Sequence, residues 1–230
     1  MYKNETISVV VPSKNEEKNL LVLLPKLKKI NMIDEFIVID GHSKDGTKKA
    51  AKKFEVKYSL DNKKGKGAAL RIAANKAKSD IIIFIDADCS HNPKDIERLI
   101  HCLVNEKMDL VIGSRSKGGS DELSGTLGNT IRRLGSEIIN VIINKRFGVK
   151  LTDYHNGFRA IRRDVINNLG LKEDTFTIEQ EMAIKALKKG YKVGEIPTHE
   201  YKRMHGTSNI NIVRIAPKYF WTTLKYCFFK

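Results

Sequence analysis

The sequence predicts an α/β fold, a mainly parallel sheet flanked by helices within a single domain, and three observations predict it. Short β-branched runs alternate with helix-like segments through the first half of the chain. Several of those runs are apolar throughout, the pattern of strands covered on both faces. Polar, chemistry-bearing segments follow the runs, which places them beyond the carboxyl ends of parallel strands, where open α/β sheets bind ligands.

In chain order, strands are expected at Ile7–Val11, Glu35–Ile39, Glu55–Tyr58, Ile81–Ile85 and Leu110–Ile112, with helices at Glu16–Lys29, Gly46–Phe54, Gly65–Lys78 and Pro93–Asn105. Asn15 ahead of Glu16 and Glu17 puts a capping side chain and two acids at the positive end of the first helix. Asn92-Pro93 sets a proline where a first turn tolerates it. Farther on, Ile131, Leu134, Ile138 and Ile142 recur at helical spacing in a helix over Gly128–Phe147. The polar, glycine-containing stretch LTDYHNGFRAIRR (151–163) follows, then a helix near Ile178–Lys189, a strand at Lys192–Ile196 and a polar loop through Ser208. Residues 209–230 form a C-terminal amphipathic helix in which Phe220, Trp221, Tyr226, Phe228 and Phe229 mix with Arg214, Lys218, Lys225 and Lys230. That mixture suits either a membrane interface or docking on the body, and the aromatics do not fall on one narrow stripe.

Composition bounds the function. With 230 residues, 41% hydrophobic and 30% charged, the chain is globular and not disordered. Cys89, Cys102 and Cys227 form no CxxC pair and leave one odd, so neither a disulfide framework nor a zinc knuckle is expected, and a reducing, cytoplasmic setting is. Met1–Glu5 leads straight into the first strand, so no secretory leader is expected. The longest stretch without Asp, Glu, Lys or Arg, Met204–Val213, falls well short of the ~20 apolar residues of a membrane span. A net charge of +15 suits nucleic acid, an anionic membrane or phosphorylated small molecules. No aromatic recognition motif supports a nucleic-acid-binding module.

Four strand ends carry the chemistry: VPSKNEE (Val11–Glu17), IDGHSKDGT (Ile39–Thr47), DADCSH (Asp86–His91) and GSR (Gly113–Arg115). Asp86 and Asp88, one alanine apart, repel each other unless a cation or water lies between them. Carboxylates with substrate phosphates suit Mg²⁺ or Mn²⁺, which would neutralise charge on a departing diphosphate. The plainer reading has Asp88 cap the helix near Pro93. Asp40, just past FIVI, is placed to accept hydrogen bonds from a base or ribose, while Asp45 caps the helix that follows it. Lys66 sits between glycines at a helix start, where an anion is favoured, or in an ordinary solvated turn. Arg159 and Arg203 are surface arginines by default, and the six histidines, with no i,i+4 pair, are structural or exposed.

In their order, VVVPSKNEEKNL, FIVIDGHSKDGT, GKGAAL, FIDADCSHNPKDI, VIGSRSKGG, NGFRAIRRDV and GYKVGEIPTHEYKRMHGTS resemble the family 2 glycosyltransferases of the Rossmann-like GT-A fold over residues 7–208. The match is most similar to the dolichyl-phosphate mannose synthase branch. The resemblance implies that residues 1–208 are the catalytic domain. Pro12, Asn15, Glu16, Asp40, Lys66 and Asp86 would bind the nucleotide sugar, and Asp86 and Asp88 would hold Mg²⁺ or Mn²⁺. Arg115, Arg132, Ser136 and Arg203 would face an acceptor phosphate. Catalysis would fall to Asp88, Arg115, Asp153 and Arg203. Gly41 and Ser90 depart from the pattern, standing where relatives carry an acid and a glutamine.

The implied reaction is inverting transfer of a hexose, mannose by the branch, from GDP-mannose or a UDP-hexose to a polyprenyl (dolichyl-type) phosphate. It would be catalysed by a peripheral enzyme at the cytoplasmic face of a membrane. The alternative within the family is a UDP-sugar and a hydroxyl acceptor, which needs a base, with Asp153 and Glu181 as candidates.

Overall fold

Strands as apolar as Ile81–Phe84 need cover on both faces, and the computed structural model, which describes residues 1–122, 127–207 and 212–229, provides it. The strands are β1 (Ile7–Ser13), β2 (Glu35–Asp40), β3 (Lys57–Leu60), β4 (Ile81–Phe84), β5 (Leu110–Ser114), β6 (Arg159–Arg162) and β7 (Val193–Pro197). The helices are α1 (Glu17–Leu27), α2 (Thr47–Lys53), α3 (Lys66–Lys76), α4 (Asp95–Asn105), α5 (Arg115–Gly118), α6 (Leu127–Phe147), α7 (Arg163–Asn168), α8 (Ile178–Lys188) and α9 (Ile212–Leu224), the last running into a π-helical turn at Lys225–Phe229. They flank one seven-stranded sheet in the order β3-β2-β1-β4-β6-β5-β7. All pairings are parallel except those of β6.

Side chains alternate across the sheet and divide the core in two. Val9, Val11, Ile83 and Ile85 pack with Leu20, Leu23 and Leu99 of α1 and α4. Val10, Ile82 and Phe84 pack with Ala69, Ala73 and Met182 of α3 and α8. Register sets the site: Ser13 pairs with Asp40, so the β1 and β2 loops leave the sheet side by side.

Four expectations are corrected. The third strand begins two residues later, because Glu55 has φ 51° and cannot extend. The 151–163 stretch contains β6, an antiparallel strand between β4 and β5. Asn15 is not the α1 cap: Asp45 Oδ2 accepts from Glu17 N at 3.0 Å and Thr47 Oγ1 from Glu16 N at 2.9 Å. On α6 the core takes Ile139 and Ile143, whereas Ile131, Leu134 and Ile138 are exposed.

The α9 segment docks on the body. Tyr219 donates to Phe176 O (3.0 Å), Gln180 to Thr223 Oγ1 (2.6 Å) and Tyr226 to Glu173 Oε1 (2.9 Å). Tyr226 and Cys227 are fully buried, while Phe220, Trp221, Phe228 and Phe229 face solvent. The boundary expected at residues 208 and 209 lies outside the described residues. Among those described, no helix is long and apolar enough to cross a membrane, and all three cysteines are free.

Candidate active site

The β1 and β2 loops are cross-stitched. Asn15, at φ 57°, accepts from Lys44 N through Oδ1 (2.8 Å), and its own N donates to Ser43 Oγ (2.7 Å). Asp40 is buried and accepts from Ser43 N (3.0 Å), the Ser43 hydroxyl and the Tyr58 hydroxyl (2.5 Å). Burial and that carboxylate push Tyr58 well above its ordinary pKa. Asn15 and Asp40 thus shape the loops facing half-buried Pro12. Asp45 caps α2 as expected, accepting from Thr47 N at 3.0 Å.

At the end of β4, Lys66 Nζ lies 2.6 Å from Asp86 Oδ1 and 2.9 Å from Glu179 Oε1. Burial alone would lower the lysine's pKa; Asp86 and Glu179 outweigh it and hold the ammonium charged above its usual range. Burial raises Asp86, but Lys66 prevails and the carboxyl titrates below its ordinary value. The GKG glycines have a different role from the anion nest expected of them. Asp174 O accepts from Gly67 N (2.9 Å) and Ala68 N (3.3 Å), and a Cβ on Gly65 would stand 2.6 Å from that oxygen. Only glycines let the 173–175 segment come so close, and it consumes the first amides of α3.

Asp88 accepts from Ser90 N through Oδ1 (3.0 Å), and its Oδ2 lies 2.9 Å from Arg203 Nη2. Arg203 Nη1 also donates to Glu16 Oε1 (3.2 Å), tying the 201–207 loop across the ends of β1 and β4. Met204 N donates to Asp88 O (3.2 Å) and Asn19 to His205 O (3.1 Å), fastening the same loop. Burial raises the Glu16 pKa, against the opposing pull of Asn19 and Arg203.

On the β5 side Arg115 is gripped by Asp153, with Nε to Oδ2 at 2.7 Å and Nη2 to Oδ1 at 3.1 Å, and by Glu200 Oε1 at 3.1 Å. Burial raises Asp153, but Arg115 outweighs it and holds the carboxyl well below the usual range. Arg132 and Ser136, one turn apart on α6, are both half-buried. Burial pushes the nearby His155 down to about 4; Asp153 opposes this, while Arg115, Arg159 and Arg132 reinforce it.

Sequence reasoning placed Glu181 near the chemistry, but it is fully buried elsewhere, accepting from Lys172 N and Glu173 N (both 2.8 Å) and pairing with Lys185. It missed Glu179, whose buried carboxylate has no hydrogen-bond partner beyond its ion pair with Lys66. It also missed His91, buried, stacked 4.9 Å from Phe158 and with Nδ1 unpartnered. Arg159 is not a surface residue: it is fully buried and donates to the carbonyls of Asn156, Tyr154 and Glu179, bracing the Asp153–Asn156 turn against α8. Burial lowers its pKa to about 10.

Comparison with known proteins gives the fold and the family. Two structures of glucosyl-3-phosphoglycerate synthase from Mycobacterium tuberculosis share the fold. The complex with Mn²⁺, UDP and glucosyl-3-phosphoglycerate has a TM-score of 0.78 at 21% identity, covering 97% of this chain and 80% of that one. The complex with Mg²⁺ and UDP has a TM-score of 0.77 at 22% identity, with the same coverage. In sequence, the uncharacterized protein MJ1222 of Methanocaldococcus jannaschii is 33% identical over 93% of this chain and 90% of its own length. Glycosyltransferase AglJ of Haloferax volcanii is 28% identical over 91% of this chain and 68% of its own. The family profile of glycosyl transferase family 2 matches residues 8–170, and with that match over most of its length the chain belongs to glycosyl transferase family 2.

Proposed function

We propose that the chain transfers a hexose from a nucleotide sugar to a polyprenyl phosphate, with inversion and with the help of a divalent cation. The observation that carries the acceptor is the state of Asp153. It is closed in a two-pronged pair with Arg115 and is not available as a base, and Arg132 stands nearby. An acceptor that is already an anion needs no base, only cations to orient it. Its phosphate oxygen would attack the anomeric carbon as the bond to the diphosphate breaks, both electrons leaving with the diphosphate. Arg115, Arg132, Ser136 and Arg203 would position the acceptor, and Pro12, Asn15, Glu16, Asp40, Lys66 and Asp86 the donor. The branch resemblance favours GDP-mannose, and the acceptor would be met at the cytoplasmic face of a membrane.

The acids at the β4 end fit Mg²⁺ or Mn²⁺. Asp86 Oδ2 faces a space that a Cβ on Gly157 would fill at 2.9 Å, and carboxylate oxygens are the ligands such ions take. Among the described residues no third His, Cys, Asp or Glu completes a cluster, so Asp86 and Asp88 would hold the ion together with substrate oxygens. When bound, the ion supplies charge neutralisation to the departing diphosphate.

Glu179 supports a second reading, a hydroxyl acceptor with this carboxylate as base. Its oxygens are unsatisfied apart from Lys66. The fold neighbour from M. tuberculosis has been captured with UDP-glucose and phosphoglyceric acid. Product analysis separates the two. A sugar released by mild acid, as from a glycosyl phosphate, supports the first reading, and an acid-stable glycoside the second.

A further inference from the structure

His199, just past β7, has an acceptor in front of each ring nitrogen. Nδ1 lies 3.0 Å from Gly118 O and Nε2 lies 3.0 Å from Asp121 Oδ1. Carbonyl and carboxylate oxygens only accept, and a neutral imidazole has a single N–H to give. Its other nitrogen would aim a lone pair at an oxygen. Imidazolium, with a proton on each nitrogen, makes both hydrogen bonds. The ring is also closely packed. A Cβ on Gly119, whose φ is 97°, would stand 2.8 Å from Nδ1, and Tyr201 lies against the ring with centroids 4.6 Å apart.

We propose that His199, as an imidazolium, is a positioning residue that clamps the turn at residues 118–121 and so seats the arginines of the acceptor side. Three contacts tie this turn to the site. Ser120 donates to Glu200 Oε2, and Glu200 Oε1 holds Arg115 at 3.1 Å. Gly119 N donates to Arg115 O (2.7 Å). One residue beyond the turn, Glu122 Oε1 accepts from Arg203 N (3.3 Å). The turn and its next residue therefore touch both Arg115 and Arg203. Glu200 N donates to Gly119 O (3.0 Å) and Asp121 N to Glu200 O (2.8 Å), lacing the turn to the segment that carries His199. His199 bonds to neither arginine and acts through the turn.

The clamp depends on pH with a definite sign. The Gly118 carbonyl raises the His199 pKa above its ordinary value, burial opposes it, and Asp121 and Glu200 add to the rise. Asp121 acts from the turn, and Glu200 and the Tyr201 ring act from the histidine's own segment. With the folded pKa above the unfolded one, both hydrogen bonds are present below about pH 6.5. One is lost as pH rises through the folded value. Asp121→Asn should remove this dependence, because an amide can donate from Nδ2 to a neutral Nε2 while Nδ1–H still reaches Gly118 O. The link to the acceptor rests on the polyprenyl phosphate reading, whereas the clamp rests on the turn alone.

The test is NMR titration of the ring nitrogens in the full chain labelled with ¹⁵N-histidine, the His199 signals being those missing from His199→Phe. The wild-type ring should titrate above 6.5, and in Asp121→Asn it should titrate lower. Hydrogen exchange of the Gly119 and Asp121 amides, corrected for the intrinsic rate, should quicken as pH rises through that pKa in the wild type and not in Asp121→Asn. The change should be roughly two- to tenfold, the worth of one hydrogen bond. With polyprenyl phosphate as acceptor, wild-type kcat/KM should fall in parallel, and His199→Phe at pH 6 should lose about tenfold or more. A His199 pKa at or below 6.5 overturns the proposal. So do exchange profiles that follow pH alike in the wild type and Asp121→Asn. A raised pKa and proton-dependent exchange, with no transfer to polyprenyl phosphate, sink the acceptor reading and leave the clamp standing.

Discussion

Arg203 grips Asp88, its Nη2 2.9 Å from Oδ2, while its other nitrogen reaches Glu16. The guanidinium pairs with an oxygen that the proposed metal ion would use, so the two would compete for Asp88. Arg203→Gln should tighten Mn²⁺ binding to the nucleotide-free protein, measured by titration calorimetry. It should also lower kcat/KM on the order of 10²-fold, the scale of losing one charge-stabilising donor. Weaker Mn²⁺ binding by the variant would show that the arginine is not a competitor.

Asp153 and Arg115 are both nearly buried, so removing one partner strands the other. Asp153→Asn should cost about 3–5 kcal/mol in urea unfolding, and pairing it with Arg115→Met should restore part of the loss. The carboxyl's folded pKa lies below its unfolded value of about 3.9, so its contribution is present above that pH. It fades only as the medium becomes more acid than that.

His155 gives a pH dependence at milder acidity. Its folded pKa of about 4 lies below the unfolded value of about 6.5, so the unfolded chain takes up the proton first. Stability should decline as pH falls from 6.5 toward 4, by up to roughly 3 kcal/mol from this residue. His155→Phe, which keeps a ring against Tyr219, should flatten that part of the Tm–pH curve. An unchanged slope would contradict the assignment.

A Cβ on Gly157 would stand 2.8 Å from Lys66 Nζ and 2.9 Å from Asp86 Oδ2. Gly157→Ala should therefore push Lys66 and Asp86 apart and weaken nucleotide-diphosphate binding about tenfold or more. The stability loss should stay within the 1–3 kcal/mol typical of overpacking. Wild-type binding by this variant would mean that the pair does not shape the donor pocket.

β1, β2, β4 and β5 were legible because each announced itself by an apolar run and each following loop by polar residues at its end. β6 was not, because its inward residue at the critical position is Arg159, and a buried arginine satisfied by three carbonyls reads as surface. The carboxylates of the β4 end were found from their spacing. Glu179 was not, since only the fold brings residue 179 to Lys66. Helical period placed α6 but could not tell which of its two apolar faces met the core. The glycines around Lys66 suggested a phosphate cradle, yet the approach of Asp174 that explains them comes from a segment more than a hundred residues away in the chain.

The central claim is that Asp86 and Asp88 hold a divalent cation with the donor diphosphate. Mn²⁺ paramagnetic resonance on the wild type and on Asp88→Asn, each with and without UDP or GDP, tests it most directly. Nucleotide-dependent Mn²⁺ binding by the wild type and its loss in the variant, with the melt unchanged, is the predicted result. Equal Mn²⁺ and nucleotide binding by both proteins would contradict the account.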